Sequence, residues 1–133
     1  MIKPLKGKKR FSDVYKHGLS FYEKPLKAIV CFKKKPCFEL KTEDDNLVFV
    51  GVSISKRKAK KAVVRNRIKR LLRESVSQVV NERGKQNFME LQSIILLWYY
   101  APHKPSMISL NDVLPVVRKV FDSISEHLVK INR

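Results

Sequence analysis

The sequence predicts an α/β domain, and three observations carry that expectation. Two long segments, Ala59 to Asn81 and Leu110 to about Ile131, repeat apolar residues at intervals of three and four with no internal glycine. Short runs rich in β-branched residues, Leu26 to Phe32, Val48 to Ile54 and Ser93 to Tyr100, are interspersed with them. At 133 residues and 44% apolar content the chain can fill one small core, so a single domain over residues 1–133 is expected.

From Lys8 to His17, Phe11, Val14 and Tyr15 fall at i, i+3 and i+4, the mark of a short amphipathic helix that Gly18 ends. Pro25 then separates a short strand at Ser20 to Tyr22 from the strand at Leu26 to Phe32. The latter and the strand at Val48 to Ile54 read as an antiparallel pair. Their charged connection holds Glu43, Asp44, Asp45 and Asn46 in a solvated hairpin loop. In the next helix Val64, Ile68, Leu71, Leu72, Ser75 and Val79 form one stripe suited to packing on a sheet, and Gly84 stands just beyond as a terminator. The run SIILLWYY, Ser93 to Tyr100, is apolar on both faces, as a strand buried in mid-sheet should be. The closing helix aligns Leu110, Val113, Leu114, Val117, Phe121, Ile124 and Leu128, and tolerates Pro115 in its first turns.

Charge narrows the function. The 29 Lys and Arg against 12 Asp and Glu give +17, which makes a polyanion the expected partner. The N-terminus MIKPLKGKKR has no apolar region behind its charges, and the longest apolar run, Ile94 to Ala101, is too short to cross a bilayer, so a cytoplasmic protein without membrane association is expected. Cys31 and Cys37 lie six apart with no CxxC pattern and read as reduced structural thiols. His17, His103 and His127 have no ligand spacing, and the acids offer no carboxylate pair outside the solvated loop, so neither a metal centre nor a protein-based nuclease is predicted. No heptad zipper follows Glu74, which argues against a DNA-binding basic helix.

The basic segment itself is unusual. From Lys56 to Arg73 ten of eighteen residues are basic, and no acid occurs between Asp45 and Glu74. Like charges at i and i+4 on a helix repel by a few tenths of a kcal/mol each, a repulsion that bound phosphates relieve. Arg65, Lys69 and Arg73 recur on one edge with Asn66 and Arg70 beside them, while Arg67 lies on the opposite flank. Arginine forks suit phosphate oxygens and base edges.

The run GVSISKRKAKKAVVRNRIKRLLRES resembles the signature of the bacterial ribonuclease P protein subunit: a strand ending in Ser and Lys, then a helix carrying Arg-Asn-Arg, Ile-Lys-Arg and Arg-Glu. The F-x-x-V-Y helix, the central strands, the buried fourth strand and the closing helix follow the family's order. The resemblance implies an α/β sandwich of order α-β-β-β-α-β-α, similar to the second domain of ribosomal protein S5, with the basic helix in a left-handed βαβ crossover. It implies the small subunit of a ribonucleoprotein whose catalytic RNA removes the 5′ leader of precursor tRNA with Mg²⁺, the protein binding both the RNA and the leader.

Carried over, Phe11 and Tyr15 match the aromatic pair of a leader cleft, with Lys27 and Ile29 on the strand after Pro25. Arg65, Asn66, Lys69 and Arg73 are expected to face that cleft. Lys56, Arg57, Lys60, Lys61, Arg67 and Arg70 are expected to engage the catalytic RNA, Lys56 and Arg57 being able to reach either. Where the family often carries a third aromatic, Ile29 stands, and Phe21 or Tyr22 is the candidate substitute. The fourth strand lacks the family's terminal small-basic pair, being followed by Ala101, Pro102, His103 and Lys104. The alternative is a ribosomal or other structured-RNA-binding protein of similar fold with no part in cleavage, from which the Arg-Asn-Arg helix is the distinguishing feature.

Overall fold

A computed structural model describes residues 2–39, 47–84 and 88–131. The elements follow as β1 (Ile2–Pro4), α1 (Lys8–His17), β2 (Leu19–Glu23), β3 (Leu26–Phe32), β4 (Val48–Ile54), α2 (Ala62–Arg83), β5 (Leu91–Trp98) and α3 (Leu110–Ile131), with single 3₁₀ turns at Phe88–Glu90 and Pro105–Met107. One mixed sheet runs β1-β4-β5-β3-β2. α1 is as expected, closed by the Gly18 amide on the Val14 carbonyl at 2.8 Å.

Several expectations change. β3 and β4 are not hydrogen-bonded to each other, because β5 inserts between them, antiparallel to β3 and parallel to β4. The reason is burial: Leu91, Ile94, Ile95 and Leu96 are fully buried, and only an interior strand has both faces and both edges covered. The β4-α2-β5 unit is thus a crossover between adjacent parallel strands, as the resemblance implies. The acidic residues Glu43, Asp44, Asp45 and Asn46 of the expected hairpin loop lie outside the described residues. Cys31 and Cys37, expected to be reduced, are joined in a disulfide, their Cα atoms 5.9 Å apart. The chain folds back directly after β3, which sequence spacing alone does not reveal. β1 was not expected either, since three residues containing Lys3 and Pro4 show no alternation.

Strand alternation assigns the layers. Leu26, Ala28 and Val30 of β3, Val48, Val50, Val52 and Ile54 of β4, and Ile94, Leu96 and Trp98 of β5 pack against α2 and α3. The intervening Ile29, Cys31, Phe49 and Ile95 pack with Val14 of α1 and with Leu5. α1 therefore covers one face of the sheet and the two long helices cover the other.

On α2 the stripe is buried as expected, extended by Val76 and Val80, and the buried Ser75 hydroxyl donates to the Leu71 carbonyl at 2.7 Å. The helix starts at Ala62 rather than Ala59; residues 55–59 instead form a turn in which the Ala59 amide donates to the Ser55 carbonyl at 2.9 Å. It ends at Gly84, whose φ of 80° is in the region that favours glycine. α3 begins with a reciprocal cap, the Ser109 amide donating to Asp112 Oδ2 at 2.8 Å and the Asp112 amide to the Ser109 carbonyl at 3.0 Å.

Candidate nucleic-acid interface

Basic residues gather where β4 leaves the sheet and α2 begins. Lys56, Arg57, Lys58, Lys60 and Lys61 are all exposed in the turn between them. No side chain caps the α2 N-terminus, so its first amide donors add positive potential to the same place. Arg65 Nη1 donates to the carbonyls of Ala59 at 2.8 Å and Lys60 at 2.9 Å, which fixes the turn onto the helix. On the flank facing α3, Arg67 Nε donates to the Ile108 carbonyl at 3.0 Å. Arg70 meets Glu74 across one turn at 3.4 Å. Asn66, exposed, faces away from the core.

The other face of the sheet is covered unevenly. At one end it is closed: the Cys31–Cys37 loop folds over it, the Gln92 side chain accepts from the Cys37 amide at 2.9 Å and donates to the Phe38 carbonyl at 2.6 Å, and Arg10 lies over the Phe38 and Phe49 rings at 5.0 and 5.3 Å. The opposite end is open. There Phe11 lies against Gly51, where a Cβ would come within 2.8 Å of its ring. Tyr15, one turn further along α1 with its ring centroid 6.4 Å from that of Phe11, is 44% exposed and hydrogen-bonded to Ser53. Burial, and secondarily the neighbouring Tyr99 hydroxyl, raise the Tyr15 phenol above its ordinary pKa, so it stays a neutral donor and ring at physiological pH.

Several predicted site residues come together here and others do not. Phe11, Tyr15 and Lys27 share the open face. Ile29 is on it too, but is 4% exposed within the α1 core, so it forms the floor and offers no surface to a ligand. Lys69 and Arg73 do not border this cleft, because α2 packs on the far side of the sheet. Arg73 instead lines a cavity of about 350 Å³ with Ile2, Pro4, Val50, Val76 and Ser77 beside β1. The helical wheel gives the edge of α2 on which they recur, but it carries no information about which side of the sheet the helix occupies. Phe21 points to the α3 side, edge-on to His127 at 5.8 Å, and Tyr22 is left on the cleft side. Tyr99 and Tyr100, expected on a buried strand, follow the end of β5 and are 40% and 56% exposed.

A family model described as Ribonuclease P matches residues 2–97. The chain belongs to the ribonuclease P protein family. The ribonuclease P protein component of Rickettsia prowazekii is 35% identical over 96 residues, 72% of this chain and 74% of that one. Among solved structures, the RNase P protein of Staphylococcus aureus has the same fold, with a TM-score of 0.63 at 24% identity over 90% of this chain and 92% of that one. That of Thermotoga maritima gives 0.56 at 16% identity over 86% and 91%. As a ribonuclease P protein component the chain is a subunit of a tRNA-processing endoribonuclease, acts in formation of the tRNA 5′ end, and associates with the RNA subunit. The alternative of an RNA-binding protein with no part in cleavage is thereby set aside. None of the described helices is long and apolar enough to cross a membrane.

Proposed function

We propose that the two surfaces divide the work of a ribonuclease P protein: the basic turn and exposed side of α2 bind the catalytic RNA, and the open sheet face beside α1 receives the single-stranded 5′ leader of precursor tRNA. The observation that carries this reading is their placement on opposite sides of one sheet, with cations on the first and rings around a lysine on the second. Helical and tertiary RNA offers phosphates, which Lys56, Arg57, Lys60, Lys61, Arg67 and Arg70 suit, joined now by Asn66, Lys69 and Arg73. An unpaired leader offers base faces, which Phe11 and Tyr15 suit, with Lys27 for the backbone. Arg65 supports both by holding the turn that links them.

Hydrolysis and the Mg²⁺ it needs belong to the RNA in this reading. Of the nine described carboxylates, Glu74, Glu82, Asp122 and Glu23 form ion pairs with Arg70, Arg118, Arg83 and Lys119, and Asp112 closes a helix cap, so five of them are engaged in holding the fold. The whole acts as one RNA-binding unit in the cytoplasm, where precursor tRNA is made. A double dissociation tests the division. In holoenzyme assays Lys60→Glu with Lys61→Glu should weaken assembly with the RNA subunit whatever the substrate, whereas Tyr15→Ala should raise KM for precursors with long leaders far more than for those with the shortest. Equal effects of both variants on both readouts would defeat the proposal.

A further inference from the structure

Tyrosine and phenylalanine are used differently in this chain. All four tyrosines are among its exposed large side chains, while none of the seven phenylalanines is. A phenol at the surface keeps a large flat ring in water at less cost than a phenyl group, and such rings are what a single strand stacks on.

Strand register places three of the four together. Tyr22 is directly opposite Lys27, Lys27 opposite Leu97, and Leu97 opposite Ser53, so these side chains form one row straight across β2, β3, β5 and β4. The row lies on the α1 side, because the flanking Leu26, Ala28, Leu96, Trp98, Val52 and Ile54 all point to α2 and α3. Tyr15 descends from α1 onto the Ser53 end. Tyr99 continues the alternation of Ile95 and Leu97 and is fixed by its amide donating to the Pro25 carbonyl at 2.9 Å, next to Tyr15. With strands about 4.8 Å apart, Tyr22 stands roughly 14 Å across the sheet from Ser53, with Lys27 between.

We infer that Tyr22 and Tyr99 are additional base-stacking positions, which with Tyr15 make a three-ring track around Lys27 and extend the length of unpaired RNA that this face holds. The inference rests on the leader reading above and names how that site grips its ligand. Stacking needs no base code, so the track would accept any sequence and sense length. Tyr22 supplies from β2 the ring that Ile29, buried on β3, cannot.

The test is reconstituted holoenzyme with precursor tRNAs whose leaders are graded in length and unstructured, read as KM and as precursor affinity. Tyr22→Ala and Tyr99→Ala should each weaken the long-leader precursor by about 5- to 150-fold, the worth of one stacked base, and leave the shortest-leader precursor unaffected. Tyr22→Phe and Tyr99→Phe, which keep the ring, should retain the long-leader affinity. Loss in the Phe variants as large as in the Ala variants would overturn stacking in favour of a hydroxyl contact. Equal loss for all leader lengths would overturn it in favour of a role in folding or assembly. Tyr15→Ala separates the two levels: leader-dependent loss there without any in Tyr22→Ala and Tyr99→Ala overturns the three-ring track alone, while no leader dependence in any variant overturns the leader site itself.

Discussion

The two faces of the sheet are built to different standards. Among the described residues 28 are buried in the core under α2 and α3 and 7 in the core under α1, so the first face holds the fold and the second is only partly closed. A ten-residue helix cannot cover a five-stranded sheet. The disulfide-closed loop and the Arg10 contacts seal one end of what remains, and the other end stays open with tyrosines on it. Coverage itself thus separates the structural face from the one proposed to receive the leader, and the exposed side of the structural helix α2 is free to carry charge because its apolar stripe is fully used.

The sharpest distinction should be in salt dependence. If the basic turn and α2 neutralise six to ten phosphates, affinity for the RNA subunit should fall by about 10³ to 10⁵ between roughly 50 and 200 mM monovalent salt, a slope calibrated on duplex DNA. The gain in affinity from lengthening a leader, being mostly stacking, should change far less over that range. Fluorescence titrations at fixed Mg²⁺ would measure both. Parallel slopes would collapse the two surfaces into one electrostatic site.

Cavity formation comes next in size. Leu72, fully buried between α2 and the sheet, should cost about 2–5 kcal/mol of unfolding free energy in urea as Leu72→Ala, and should weaken RNA-subunit and leader binding together. Gly51→Ala should act on one face only. Its Cβ would lie 2.8 Å from Phe11 Cζ and 3.4 Å from Leu5 Cβ, so the Phe11 ring must tilt away at a cost of roughly 1–3 kcal/mol. The expected outcome is weakened leader binding with RNA-subunit affinity retained. Equal loss of both would mean that the faces are mechanically coupled through β4.

How much of this was legible in the sequence follows from the range of the interactions involved. Helical and strand periodicities are local, so the bounds of α1 and β3 and the start of α3 are legible to the residue, as is the buried stripe of α2 from Val64 to Val79. Strand order is not local. The hairpin expected between β3 and β4 does not form because β5, which follows β4 only after the whole of α2, takes the middle of the sheet between them. The same non-local information decides which side α2 occupies, hence the reassignment of Asn66, Lys69 and Arg73. Tyr22 was in view only as a substitute for Ile29, and Tyr99 was placed on a buried strand. The signal that settles them is period-two alternation counted outward from Lys27 and Leu97, which requires the register first.

The smallest expected effect concerns what joins the two long helices at the surface. Glu82 accepts from Arg118 at 2.6 Å, and that hydrogen bond, helped by the charges of Arg118 and Arg83, holds its carboxyl below the ordinary carboxylate value. A depressed folded-state pKa stabilises the fold above the unfolded pKa and is lost as pH falls through the folded one. Glu82→Gln should therefore lower the melting temperature slightly at neutral pH, and the gap from the parent chain should close as pH drops below the carboxylate range. Both residues are at the surface and screened by salt, so the gap should also shrink in high salt. A gap unchanged by acid and salt would show that Glu82 acts by packing, and that α2 and α3 depend on their rim as well as on the apolar seam formed by residues such as Val79, Val117 and Phe121.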